Sequence, residues 1–238
     1  MKNKNTWQPT KFVKTKSGCV PNNNTMHVSV GSRFITGILG ELYHDLLKKH
    51  ATGVLLDLGC GNVPLYDVYR EYVTDNICID WNKNPYLDYE TDFNNFIPLE
   101  SNTFDTILCT DVLEHIAEPH KLFGEMARLL KPNGKLILAV PFYYWIHEEP
   151  HDYFRYTRYA LQKFCKDNKL IVVELNSYGG IPEIIIDIIS KNVRRFRTLS
   201  NIILRLSHFI LNTQFAKNYH MKTRQSFPLG YYLVAQKP

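Results

Sequence analysis

The sequence predicts an α/β fold: a mostly parallel sheet with helices on both faces. Three observations lead there. Short apolar runs alternate along the chain with segments of helical period, the pattern of strands joined by crossover helices. The first run, "GVLLDLGCGN" at 53–62, is stopped by glycines, as a buried strand is when it enters a tight turn. A last strand-like run, "GYYLVAQKP", closes the chain after a long helical stretch.

Residues 1–27 are polar and aperiodic, with Pro9, Pro21 and asparagines at 22–24, and read as an arm. Phe34, Ile38, Leu42 and Leu46 then recur at four-residue steps before the basic Lys48, Lys49 and His50, predicting a helix. After the glycine turn, Asn62 is placed to cap the next helix, with Pro64 in its first turn. "NICID" at 76–80 predicts a second strand and "TFDTILCT" at 103–110 a third. A helix is expected over 118–130, with Leu122, Met126, Leu129 and Leu130 facing inward. "KPNGK" at 131–135 reads as a turn, "KLILAVPF" as a strand, 157–168 as a helix and "LIVVELNSY" as a further strand.

The 238 residues suit one domain, or one domain with an insertion. A net charge of +5 admits an acidic small molecule and gives no reason to expect nucleic acid. The five cysteines are widely spaced, odd in number and without a CxxC pair, so they read as free thiols of a reducing compartment. The N-terminal stretch has no apolar signal segment, and "IPEIIIDIIS" is broken by Asp187 and too short to span a bilayer. A cytoplasmic protein is expected.

In an open parallel sheet, ligands bind beyond the carboxyl ends of the strands. Asp57, Gly59 and Gly61 stand at such an end, and Asp80 ends the next strand 21 residues after Gly59. Glycines let the backbone approach a ligand, and a carboxylate at the Asp80 position suits two ribose hydroxyls. A dinucleotide would want glycine where Pro64 stands and would not welcome Asp57 beside a pyrophosphate. The acid favours a cofactor with a cationic part.

On the runs "VLLDLGCGN", "ICIDWN", "TDFNNFIPLESNTFDTILCTDVLEHI" and "ARLLKPNGKLILAVPF", the chain resembles the class I S-adenosylmethionine-dependent methyltransferases, over 34–178 and again at the last strand. The resemblance implies a Rossmann-like sheet of about seven strands with the last antiparallel. It implies that Asp57, Gly59 and Gly61 line the methionine part of S-adenosyl-L-methionine and that Asp80 holds the ribose. Asp92 and Phe93 would meet the adenine, with Thr110 and Asp111 near the sulfonium. Val63 departs from the family, many members of which have a third glycine there. Residues 34–238 would form the methyltransferase domain, with 1–33 an arm over its active site.

The stretch "FYYWIHEEPHDYFRYT" at 142–157 holds two histidines, three carboxylates, an arginine and seven aromatics. It follows a strand end at the cofactor edge of the sheet, so a substrate-facing role is expected. His147 or His151 would act as base. Tyr153, Arg155 and Tyr156 would bind substrate, the arginine through a phosphate or carboxylate and the aromatics by stacking. Metal is assigned neither here, where Pro150 interrupts a helical HxxxH pair, nor at Asp111, Glu114 and His115, where an acid-rich run ending in Glu-His resembles that of ubiquinone-pathway O-methyltransferases. "HEEPHDYFRYT", "WQPTKFV" and "GCGNVPLY" resemble a subgroup encoded among bacterial surface-glycan assembly enzymes. The expected reaction is therefore O-methylation of a sugar or other small or lipid-linked precursor. The alternatives are N-methylation of a small amine and a non-catalytic cofactor-binding protein.

Residues 182–226 are too long for a simple connection and read as a helical insertion before the last strand. Ile185, Ile189, Val193 and Phe196 form one stripe; Leu199, Ile202, Ile203, Leu206 and Phe209 form another. Two helices packed on the core and on each other are the plain expectation. With Lys191, Arg194, Arg195, Arg197 and Arg205 beside them, a homodimer face or a peripheral contact with the inner surface of a membrane are the others.

Overall fold

The structure, a computed structural model, describes residues 1–16 and 18–238. The chain opens with a hairpin of β1 (Phe12–Thr15) and β2 (Gly18–Pro21), paired antiparallel. Then follow α1 (Arg33–His50), β3 (Val54–Leu58), the single turn α2 (Tyr66–Tyr69), β4 (Asp75–Asp80), β5 (Tyr89–Glu90) and β6 (Phe104–Thr110). The second half runs α3 (Pro119–Leu129), β7 (Leu130–Pro141), α4 (Arg158–Asp167), β8 (Ile171–Tyr178), α5 (Ile181–Asn192), α6 (Arg197–Asn212), α7 (Gln214–Thr223) and β9 (Gly230–Gln236). Seven strands form one sheet in the order β5-β4-β3-β6-β7-β9-β8. The five strands β5, β4, β3, β6 and β7 pair parallel to one another, and β9 runs antiparallel to both β7 and β8. The expected Rossmann-like sheet with an antiparallel last strand is present.

The sheet separates two cores because successive residues of a strand point to opposite faces. Leu55 of β3 packs on the face covered by α1 and the arm, with Tyr43, Leu47 and Ile137. Leu56, one residue on, packs on the other face with Phe123, Met126 and Leu161 of α3 and α4. Each is fully buried, and each contributes about 2 kcal/mol by leaving water. Where β3 and β6 part, their carboxyl ends open a crevice beside β4, and that is where the site lies.

Four local expectations are corrected. "KPNGK" is no separate turn. It is absorbed into β7 as a bulge, where pairing with β6 jumps from Leu130 to Lys135 and Asn133 takes φ 65°. Asn62 caps nothing: the following helix is one turn long, starts after Leu65 and has no side-chain cap. The arm is not aperiodic coil but carries the hairpin, seated so closely on α1 that a Cβ at Gly40 would lie 2.7 Å from the Cys19 carbonyl. The insertion holds three helices, not two, and its apolar stripes do not face the core.

Among the described residues, all five cysteines are buried and free. No helix among them is long and apolar enough to cross a membrane.

Candidate active site

The turn after β3 is built by backbone geometry. Gly59 and Gly61 take φ of 75° and 49°, the left-handed region that side chains avoid. Val63 takes φ 50° as well, while fully buried. A β-branched residue there is a strained substitute for glycine. Asp80 is buried at the end of β4 and ties the two strand ends together. Its Oδ2 accepts from the Gly61 N–H at 2.8 Å and its Oδ1 from the Asn82 N–H at 2.9 Å. Asp57 accepts from the Tyr69 hydroxyl at 3.1 Å. Burial pushes its carboxyl up to about 7, against the pull of that hydrogen bond.

Two cavities meet here. One, of about 220 Å³, runs from Gly59 and Asp80 past Trp81 and Phe93 to Val112 and His115. The larger, of about 330 Å³, continues from Asp111, Glu114 and His115 to His147 and Tyr144, and the arm closes it with Lys11 and His27. Asp111 stands between them at φ 55°. Its Oδ2 accepts from the Tyr43 hydroxyl at 3.0 Å and faces Lys11 Nζ at 3.7 Å.

The larger cavity has an unusual wall. Glu114 is fully buried, and among the described residues neither carboxyl oxygen has a hydrogen-bond partner. Burial, reinforced by Asp111, holds its carboxyl well above the usual range. Glu114 Oε1 lies 3.7 Å from His115 Nε2 and 4.0 Å from His147 Nε2. The ring tautomers follow from the other nitrogens. His115 Nδ1 meets the His151 carbonyl at 2.7 Å and therefore donates. His147 Nδ1 meets the Trp145 carbonyl at 3.3 Å and Asp152 Oδ2 at 3.3 Å, both acceptors, and so carries its proton too. Both Nε2 lone pairs are thus left facing Glu114. Burial, then the neighbouring His115, lowers the pKa of His147, which keeps it a free base.

The sequence-derived candidates separate accordingly. Asp57, Gly59, Thr110 and Asp111 line one continuous crevice with Asp80 and Phe93. Asp92 lies outside it, exposed and spent on the Asn94 and Asn95 turn. His147 faces the larger cavity, but the His151 ring does not: it packs on Trp81 and meets the Tyr153 hydroxyl at 3.0 Å. Arg155 is held within its own loop, bidentate to Asp152 at 2.5 and 2.8 Å and bonded to the Trp145 and Phe154 carbonyls. That pairing keeps the Asp152 carboxyl well below the usual range and leaves the guanidinium little with which to meet a substrate. Tyr156 is buried, its hydroxyl donating to the Leu113 carbonyl, and Tyr153 is half exposed beside Phe154. Lys11, His27 and Tyr43 were not among the sequence candidates. Nothing in a polar arm or a helix stripe marks them, because tertiary packing alone brings them to the cavity.

A methyltransferase-domain family model matches residues 32–170, more than half of the chain. An uncharacterised protein of Methanocaldococcus jannaschii is 31% identical over 141 residues, covering 56% of this chain and 57% of its own length. A ubiquinone biosynthesis O-methyltransferase of Bartonella tribocorum is 25% identical over 152 residues, 57% of this chain and 58% of its own. The chain thus spans little more than half the length of the curated relatives it matches. Among solved structures, a SAM dependent methyltransferase from Archaeoglobus fulgidus has the same fold, with a TM-score of 0.58 at 16% identity, over 87% of this chain and 97% of that one.

Proposed function

The chain belongs to the methyltransferase-domain family, and on that premise we propose that it moves the methyl group of S-adenosylmethionine onto a hydroxyl of a sugar or other small precursor in glycan assembly. The residues at the strand ends fit that cofactor. A Cβ at Gly61 would meet nothing within 4 Å, so the turn leaves open space into which a ligand can come against bare backbone. Asp80, Gly61 and Phe93 would hold the nucleoside part, and Asp57 and Asp111 would favour its cationic end. When bound, the cofactor supplies a methyl carbon made electrophilic by the adjoining sulfonium.

The observation that carries the acceptor reading is the lone-pair surplus in the larger cavity. Glu114, held protonated by burial, has one proton to donate, so its oxygens and the two Nε2 atoms together offer more acceptors than the described residues supply donors. Hydroxyls supply donors, and a polyhydroxyl acceptor supplies several. His147, kept neutral and fixed by Asp152, is the residue suited to take the hydroxyl proton at Nε2. Arg155 and Asp152 position that ring and touch no acceptor. Glu114 and His115 are buried, and Lys11 and His27 of the arm line the same cavity, which restricts the access of bulk water to the proton transfer. The Bartonella relative is named for O-methylation in ubiquinone biosynthesis, which supports oxygen over nitrogen as the acceptor atom.

A second reading has its own observation. One ligand atom each from Glu114, His115 and His147 lies within 4.8 Å of the others, a separation at which a divalent cation could draw them together and acidify a hydroxyl.

Incubation with S-adenosylmethionine and a panel of nucleotide sugars, read by mass spectrometry with and without a chelator, tests both readings. A methylated sugar that survives chelation supports the histidine base. Loss on chelation with return on adding a divalent ion supports the cation. Methylation of amines alone overturns the hydroxyl reading.

A further inference from the structure

Helix α6 is turned inside out. The side chains it buries are Ser200 and Ser207, whose hydroxyls are spent on the Val193 and Leu204 carbonyls. Leu199, Ile202, Leu206, Phe209 and Ile210 are between 42% and 74% exposed. At 100° per residue these five fall on one side of the helix, so the exposure is a continuous stripe. Helix α5 repeats the arrangement. It buries Glu183, Ile186, Asp187, Ser190 and Lys191 and exposes Ile185, Ile188 and Ile189. An apolar face of this extent marks a contact.

Charge selects the occupant. Segment 182–226 has eight lysines and arginines and two carboxylates. Both carboxylates are buried and already paired, Asp187 with Lys191 and Glu183 with His220. The face therefore presents cations with no free acid. Arg195 and Arg205, which flank the stripes, are exposed and, among the described residues, have no ion-pair partner. A second copy docked by the same face would set arginine against arginine. An anionic bilayer takes both features at once, apolar side chains among the acyl chains and guanidinium groups at the phosphates. Aromatic residues suited to the headgroup level stand at the edge of the face: Tyr143, Trp145 and Phe227 are each about 40% exposed. Arg194 packs over Trp145 at 5.1 Å.

We infer that α5 and α6, with the Tyr143–Trp145 edge, form a docking face for an anionic membrane surface. The face adjoins the site. Lys191 Nζ sits 3.6 Å over the ring of Tyr144, which lines the larger cavity. A Cβ at Gly31 would lie 2.9 Å from the Ser190 carbonyl, so α5 presses on the segment that walls the same cavity.

The full-length chain is to be sedimented with vesicles of phosphatidylcholine alone and of equal parts phosphatidylcholine and phosphatidylglycerol, at low and high salt. We expect binding to the anionic vesicles, weakening as salt rises. Arg195→Gln and Arg205→Gln should each weaken it about fivefold. Phe209→Gln, at a position that supports no packing, should weaken it at both salt concentrations. Circular dichroism and gel filtration of each variant establish that it is folded. Absence of binding to anionic vesicles, equal binding by the arginine variants, or a salt-resistant dimer abolished by Phe209→Gln would each overturn the inference.

Discussion

A Cβ at Gly61 would meet nothing within 4 Å, whereas one at Gly59 would lie 2.3 Å from Val112. The two glycines of one turn therefore answer to different demands: Gly61 leaves open space against bare backbone, while Gly59, which lines the crevice, has no room for a side chain beside Val112. Gly61→Ala should keep the fold at a cost of about 1–2 kcal/mol for its left-handed backbone, and weaken S-adenosylhomocysteine at least tenfold in calorimetry. Gly59→Ala should cost about 3 kcal/mol or more, since strain and collision add, and melt well below it. Equal melting points with equal affinities would contradict this division. His147 carries the second prediction at this scale. Its pKa is lowered, so the free base persists as pH falls below the ordinary histidine value near 6.5. The turnover plateau should extend below that pH, and His147→Ala should lose about 10²–10⁴-fold in rate with cofactor affinity kept. A full rate in that variant removes it from the chemistry.

The segment after β7 shows what an element adds to its residues. Composition marked 142–157 as chemical, but roles depended on partners that no spacing reveals. Arg155 and Asp152 lie three residues apart and clasp each other, while Glu114, from another loop, meets His147 across the cavity. Arg155→Met should free a buried carboxylate, lower stability by about 2 kcal/mol and reduce turnover through the released His147 ring. Because the Asp152 pKa is depressed in the folded state, the clasp contributes fully above the unfolded value of about 3.8 and is lost only as pH falls through the lower folded value. The variant's deficit in melting temperature should thus be constant from neutral pH down to about 4 and shrink only below it. A deficit that disappears near neutrality would contradict the pairing. The orientation of the insertion's helices is not legible in the sequence, for a plain reason. Apolar periodicity locates a stripe but does not say whether protein or something else covers it.

At the scale of the whole molecule, the sheet was legible wherever strands are apolar and long. β3, β4, β6, β8 and β9 appear as runs, and β7 only from its second half. β5 has two exposed residues, Tyr89 and Glu90, and leaves no apolar signature; it was expected only through the family resemblance. The crevice was legible too, because glycines and an acid at strand ends have a physical use there. The cavity wall was not, since it draws on the arm, α1, the loop after β6 and the loop after β7 at once. Asp80 joins these levels, as it fixes the turn and faces the crevice. Asp80→Ala should weaken cofactor binding by about 2–4 kcal/mol. The most direct test of the whole is transfer of tritiated methyl from S-adenosylmethionine to nucleotide-sugar acceptors by the native chain beside Asp80→Ala and His147→Ala. We expect labelled sugar from the native chain, rescue of Asp80→Ala by raised cofactor, and no such rescue of His147→Ala. Tight cofactor binding by the native chain with no label on any hydroxyl acceptor would contradict it.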